Sequence, residues 1–151
     1  MARLIASFFG TGLILDKVRH SDMGSGTVGS AFALAPALAM HPLGVAAQAA
    51  ALVVILAAGL AAVQPFARDN SDPGWIVVDE AAGTFLATLG LGVWAAIVAW
   101  VVFRLADIQK HWFPGVAAAE RLPGAAGVMA DDLVAGAYGL LVGILVTVLF
   151  G

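Results

Sequence analysis

The sequence has no cysteine, one tyrosine and three histidines among its 151 residues. Without cysteine there is no disulfide, no thiolate metal site and no thiol nucleophile. Charge is also scarce. Charged residues make up 11% of the chain, where a soluble domain carries about 25%. Hydrophobic residues make up 62%, and the mean hydropathy is +0.99. An ordinary soluble domain is excluded, and the chain reads as a single-domain, all-α integral membrane protein. A net charge of −3 and a pI near 5.4 give no reason to expect nucleic acid as a partner. Arg3 and the apolar run LIASFFGTGLIL imitate a signal peptide, but no small-x-small cleavage site follows before Asp16-Lys17. That stretch is expected to be an amphipathic or partly inserted N-terminal helix.

The few charges fall into clusters. They occupy residue 3 and residues 16–22, 68–80, 104–110 and 120–132, leaving charge-free runs at 23–67, 81–103 and 133–151. A helical crossing needs about 20 apolar residues. The first run therefore holds about two segments, near 30–40 and 45–63, with a turn at His41-Pro42-Leu43-Gly44. The last run is one crossing. The central run admits two readings. As one straight helix it would put Asp79 and Asp107 roughly 42 Å apart, on opposite membrane faces. Turned back at Leu89-Gly90-Leu91-Gly92, it becomes two short helices near 77–89 and 93–107, with both charged ends on one face. The hairpin gives about five short transmembrane or re-entrant helices after the N-terminal one. The positive-inside rule names the charged face cytoplasmic.

Five acids stand at the mouths of apolar segments: Asp79, Glu80, Asp107, Asp131 and Asp132. Taken singly, Asp79 and Asp131 or Asp132 read as helix caps. Gathered together they would repel by roughly 4 kcal/mol per pair at about 4 Å and an effective dielectric near 20. A divalent cation is the natural compensation, and oxygen-only ligands point to Mg²⁺. Arg104, Asp107, Lys110 and His111 share one helix face by spacing. They read either as interfacial residues with an i,i+3 salt bridge, or as an anion-binding pair (Arg104, Lys110) beside a metal-binding Asp107. The stretch Gly24 to Ser30 reads either as a flexible entry loop or as a phosphate cradle using Gly26, Thr27 and Ser30. It lacks the GK[ST] ending of a nucleotide-binding loop. Trp75 and Trp112 are expected as membrane-depth markers, and Glu120 and Arg121 as solvated.

Five stretches together resemble the phosphatidylglycerophosphatase A family. They are FGTGL (9–13), GTVGS (26–30), IVVDEAAG (76–83), FRLADIQK (103–110) and GAAGVMADDLVAG (124–136). Two positions depart from the family's usual pattern, Ser25 and His111, each standing where proline is common. The resemblance implies Mg²⁺-dependent hydrolysis of phosphatidylglycerophosphate to phosphatidylglycerol and phosphate at the cytoplasmic face of the bacterial inner membrane. It implies catalytic and metal-binding roles for Asp79, Glu80, Asp107, Asp131 and Asp132, and substrate binding by Arg104 and Lys110. It also favours the hairpin, because one metal site using both Asp79 and Asp107 requires it. An anionic phospholipid is then the substrate, its acyl chains staying in lipid beside the helices. Two competing classes are weaker. A transporter or channel subunit would want acids at mid-membrane, yet every charge stands at a boundary. A headgroup transferase would want a D-G-x₂-A-R pattern, which is absent.

Overall fold

The structure is a computed structural model that describes residues 1–14, 24–67 and 73–151. The charged cluster at 16–22 and the charges Arg68, Asp69 and Asp72 lie outside the described residues. Within them the chain is helical and has no strand. The helices are α1 (Ala2–Ala6), α2 (Ser25–Ala39), α3 (Val45–Val63), α4 (Val78–Ala87), α5 (Val93–Ile108), α6 (Val116–Ala119) and α7 (Ala125–Phe150).

Two of them, α3 with 19 residues and α7 with 26, are long and apolar enough to cross a bilayer. The five expected membrane segments all exist as helices, but α2, α4 and α5 have only 15, 10 and 16 residues. At about 1.5 Å per residue, ten residues rise roughly 15 Å, half of a hydrocarbon core of about 30 Å. The expected set of about five short transmembrane or re-entrant helices is thus two full-length helices and three shorter ones, of which α4 and α5 pack against α7 and α2 packs against α4. The outer face of α7 exposes Leu141, Ile144, Leu145, Val148 and Leu149. An apolar surface of that extent suits lipid rather than water.

The central run turns back. Helix α4 ends at Ala87, Gly90 takes a left-handed φ of +72°, and α5 begins at Val93. Both arms lie against α7 at glycines that let backbones approach closely. A Cβ on Gly136 would stand 2.7 Å from the Gly83 carbonyl oxygen, and one on Gly139 would stand 2.5 Å from that of Ala99. A Cβ on Gly143 would meet Leu91 and Ala99. Along α7, then, the α4 neighbours ascend in number while the α5 neighbours descend. Helix α4 runs parallel to α7, and α5 antiparallel.

Gln48 fastens the end of the bundle that holds the turn. Its amide nitrogen donates to the Ala37 carbonyl (3.3 Å), and its amide oxygen accepts from the Gly90 N–H (2.8 Å). In a water-poor interior these bonds satisfy backbone groups that a turn would otherwise leave bare. The starts of α2, α4 and α7 and the end of α5 gather at the opposite end.

The expected N-terminal helix is interrupted. The α-helix Ala2–Ala6 ends where Phe8 (φ 44°), Phe9 (φ 59°) and Gly10 (φ 91°) turn the chain left-handed, and helical backbone resumes at Thr11–Leu13. Such a conformation costs about 1–3 kcal/mol per non-glycine residue. Packing offsets it: Ala6 and Ser7 are fully buried, and the Ala6 carbonyl accepts from the Val77 N–H at 3.0 Å.

Candidate active site

Three helices bring the five acids to one end of the bundle. Asp79 and Glu80 stand in the first turn of α4, Asp107 near the end of α5, and Asp131 and Asp132 nearly two turns into α7. None is a cap. The residues before α4 and α7 are Val77 and Gly124, and neither helix start has a side-chain cap bond. The carboxylate oxygens form two groups, Asp79–Glu80–Asp132 and Asp107–Asp131–Asp132, each with its oxygens within 4.8 Å of one another. Asp132 belongs to both. It is only 2% exposed, and Asp79 and Asp131 are 4% and 5% exposed.

Among the described residues, two cations accompany these five acids. Arg104 is buried on α5, and its Nη1 lies 2.9 Å from Asp107 Oδ2. The contact is an ion pair by distance without hydrogen-bond alignment. Lys110, just beyond α5, donates from Nζ to Asp131 Oδ2 at 2.6 Å and to Glu120 Oε1 at 2.8 Å. Burial alone would push the Lys110 ammonium's pKa down. Its hydrogen bonds to Asp131 and Glu120, with their charges, outweigh that and raise the pKa above the usual lysine value.

The donor set fits a hard cation. Among the described residues two positive side chains face five carboxylates, and Glu80 Oε2 and Asp132 Oδ2 are buried without a hydrogen-bond partner. An unpaired buried carboxylate oxygen is expensive. All the donors are oxygens from Asp and Glu, which suits Mg²⁺ or Ca²⁺ rather than a thiolate- or imidazole-seeking metal.

The residues expected to bind phosphate divide. Gly24 to Ser30 is not a loop: Gly24 (φ 88°) precedes α2, and Ser25 to Ser30 form its first turns. Gly26 touches the site. A Cβ there would collide with Glu80 Oε1 and stand 3.1 Å from Arg104 Nη2, so glycine lets α2 close over that pair. Ser30 instead donates its hydroxyl to the Thr27 carbonyl (3.1 Å) inside α2, and it is fully buried. Thr27 is exposed on the first turn. His111 and Trp112 are exposed beyond α5. Trp75 is partly covered, edge-on to Phe66 at 5.0 Å and with the Arg3 guanidinium 5.1 Å from its ring centre, so it is less a lipid-facing marker than expected. Glu120 is exposed, as expected, and is also the second partner of Lys110. Its spacing of ten residues from Lys110, across α6, gave no periodic signal that could have shown this.

Comparison with known proteins agrees with the motifs. A protein of Bacteroides thetaiotaomicron, provisionally named a phosphatidylinositol-3-phosphatase, is 36% identical over 77 residues. That match covers 48% of this chain and 47% of the relative, so the chain spans about half the length of the curated relative it matches. No solved structure gives a significant match. The phosphatidylglycerophosphatase A family matches residues 4–147, nearly the whole chain. The protein belongs to the phosphatidylglycerophosphatase A family.

Proposed function

We propose that the protein is a Mg²⁺-dependent lipid phosphatase that hydrolyses phosphatidylglycerophosphate to phosphatidylglycerol and phosphate in phospholipid synthesis. It acts at the cytoplasmic face of the bacterial inner membrane as a multi-pass protein. The observation that carries this reading is the sharing of Asp132 between two carboxylate groups contributed by three helices. Membership of the family supports the substrate class.

Asp79, Glu80, Asp107, Asp131 and Asp132 would hold one or two divalent ions. When bound, such an ion supplies charge neutralisation for the phosphoryl group and acidifies water. Arg104 and Lys110 provide the rest of the positive field, steadying the phosphoryl oxygens as negative charge spreads over them in the transition state. A water oxygen bonds to phosphorus, the bond from phosphorus to the lipid glycerol oxygen breaks, and that oxygen leaves with a proton. Gly26 keeps α2 close enough to Glu80 and Arg104 to limit water around them. Hydrolysis of a monoester needs no second organic substrate, which distinguishes it from headgroup transfer.

The test is phosphate release from phosphatidylglycerophosphate in detergent by Asp79→Asn, Asp107→Asn and Asp131→Asn. Each is expected to lose roughly 10²-fold or more. Near-native Mg²⁺-dependent release by all three overturns the assignment.

A further inference from the structure

The N-terminal segment and α3 enclose a groove of about 340 Å³, inside the range of about 300–1,000 Å³ common for small-ligand sites. Leu4 and Phe8 line one side, Val54, Ile55 and Ala58 the other, and Val78 completes it; every lining residue is apolar. The rim is open, since Leu4 and Phe9 are 50% and 74% exposed.

Three features connect this groove to the acid cluster. Val78 is the immediate neighbour of Asp79 on α4. The bond from the Val77 N–H to the Ala6 carbonyl (3.0 Å) ties the N-terminal wall to the residues that deliver the acids. Arg3, on the same helix as the lining residue Leu4, holds its guanidinium 5.1 Å from the Trp75 ring centre. Phe8 is kept in a left-handed backbone conformation, and Phe8 forms part of the wall. A strained backbone retained at a cavity wall points to a use for that cavity.

We propose that this groove seats an acyl chain of the phospholipid whose terminal phosphate monoester reaches the acid cluster, with Arg3 serving the lipid's inner phosphodiester. The inference rests on the lipid-phosphatase reading above. It departs from the expectation that the acyl chains simply stay in bulk lipid. An apolar groove takes the tail, a cation on the helix that walls it complements the anionic headgroup, and the chain of contacts leads to Asp79.

The experiment uses the full chain in detergent micelles with a phosphatidic acid carrying a diazirine in its acyl chain. Photolabelling is expected on Leu4, Phe8, Val54 and Ile55. Ala58→Trp, which fills the groove, should cut that labelling roughly tenfold. Leu4→Ala, a milder change that opens the wall, should weaken it as well. Ala58→Trp should also raise KM for long-chain phosphatidylglycerophosphate more than for a short-chain, water-soluble phosphatidylglycerophosphate. Equal labelling in wild type and Ala58→Trp, or label confined to the outer face of α7 around Leu141 and Leu145, overturns the proposal. Should wild type release no phosphate from any lipid monoester, the enzymatic reading fails, and the labelling pattern still decides the groove.

Discussion

Lys110 Nζ lies 2.6 Å from Asp131 Oδ2, and Asp131 is one of three acids whose oxygens cluster within 4.8 Å. The ammonium thus compensates part of the carboxylate charge, and Glu120 accepts a second hydrogen bond from it at 2.8 Å. Because the folded pKa is raised above the ordinary 10.5, the pair's stabilising contribution is fully present below that value. It is lost only as pH rises through the higher folded pKa. The difference in thermal midpoint between wild type and Lys110→Met should therefore stay constant from about pH 7 to 10. A difference that shrinks inside this window contradicts the pairing.

Asp132→Asn separates the electrostatic cost of the cluster from its use. Without divalent ions the substitution removes a buried charge from among four other acids, each pair repelling by about 4 kcal/mol at 4 Å and an effective dielectric near 20. The variant should thus melt higher than wild type in EDTA. It should also bind Mn²⁺, followed by electron paramagnetic resonance, at least about 10-fold more weakly and lose most activity. Unchanged Mn²⁺ affinity removes Asp132 from the ligand set.

Metal removal should lower the melting midpoint of wild type. Adding Mg²⁺ to protein stripped with EDTA is expected to raise the melting midpoint, because an ion bound only by the folded state stabilises it by mass action. Asp79→Asn and Asp107→Asn should each diminish the shift. A midpoint indifferent to Mg²⁺ up to millimolar concentration argues against the site.

Gly83 and Gly136 test the helix approach that carries Asp132. A Cβ on Gly83 would stand 2.5 Å from the Phe103 ring and 2.8 Å from the Asp132 carbonyl oxygen. Overpacking of this kind costs about 1–3 kcal/mol. Gly83→Ala should lower thermal stability and activity together. Gly92→Ala should do neither, since a Cβ there meets nothing within 4 Å.

The hairpin has its own test, aided by the absence of native cysteine. Gly92→Cys and His111→Cys both put a thiol at an exposed position, one at the turn and one beyond α5. In oriented vesicles an impermeant maleimide should label them from opposite sides. Labelling from the same side contradicts the arrangement of α5.

By itself the sequence determined where helices could lie and where charge could not. Runs of apolar residues bounded by clustered charges marked α3 at 45–63 to the residue, and nearly marked α4 and α5. The GTVGS stretch was legible as a motif but not as helix, because glycine and serine favour loops until close packing against Glu80 and Arg104 makes small residues an advantage. Periodicity could not choose between one span and a hairpin for residues 81–103, since either buries the same apolar surface. Tertiary packing decided it: α7 lies against both arms with glycines at 136, 139 and 143, and close backbone contact there outweighs the shortness of α4. That same packing made Asp132 common to both acid groups and gave Lys110 its bond to Glu120. Such juxtapositions depend on distances between separate helices, which no spacing along one chain encodes.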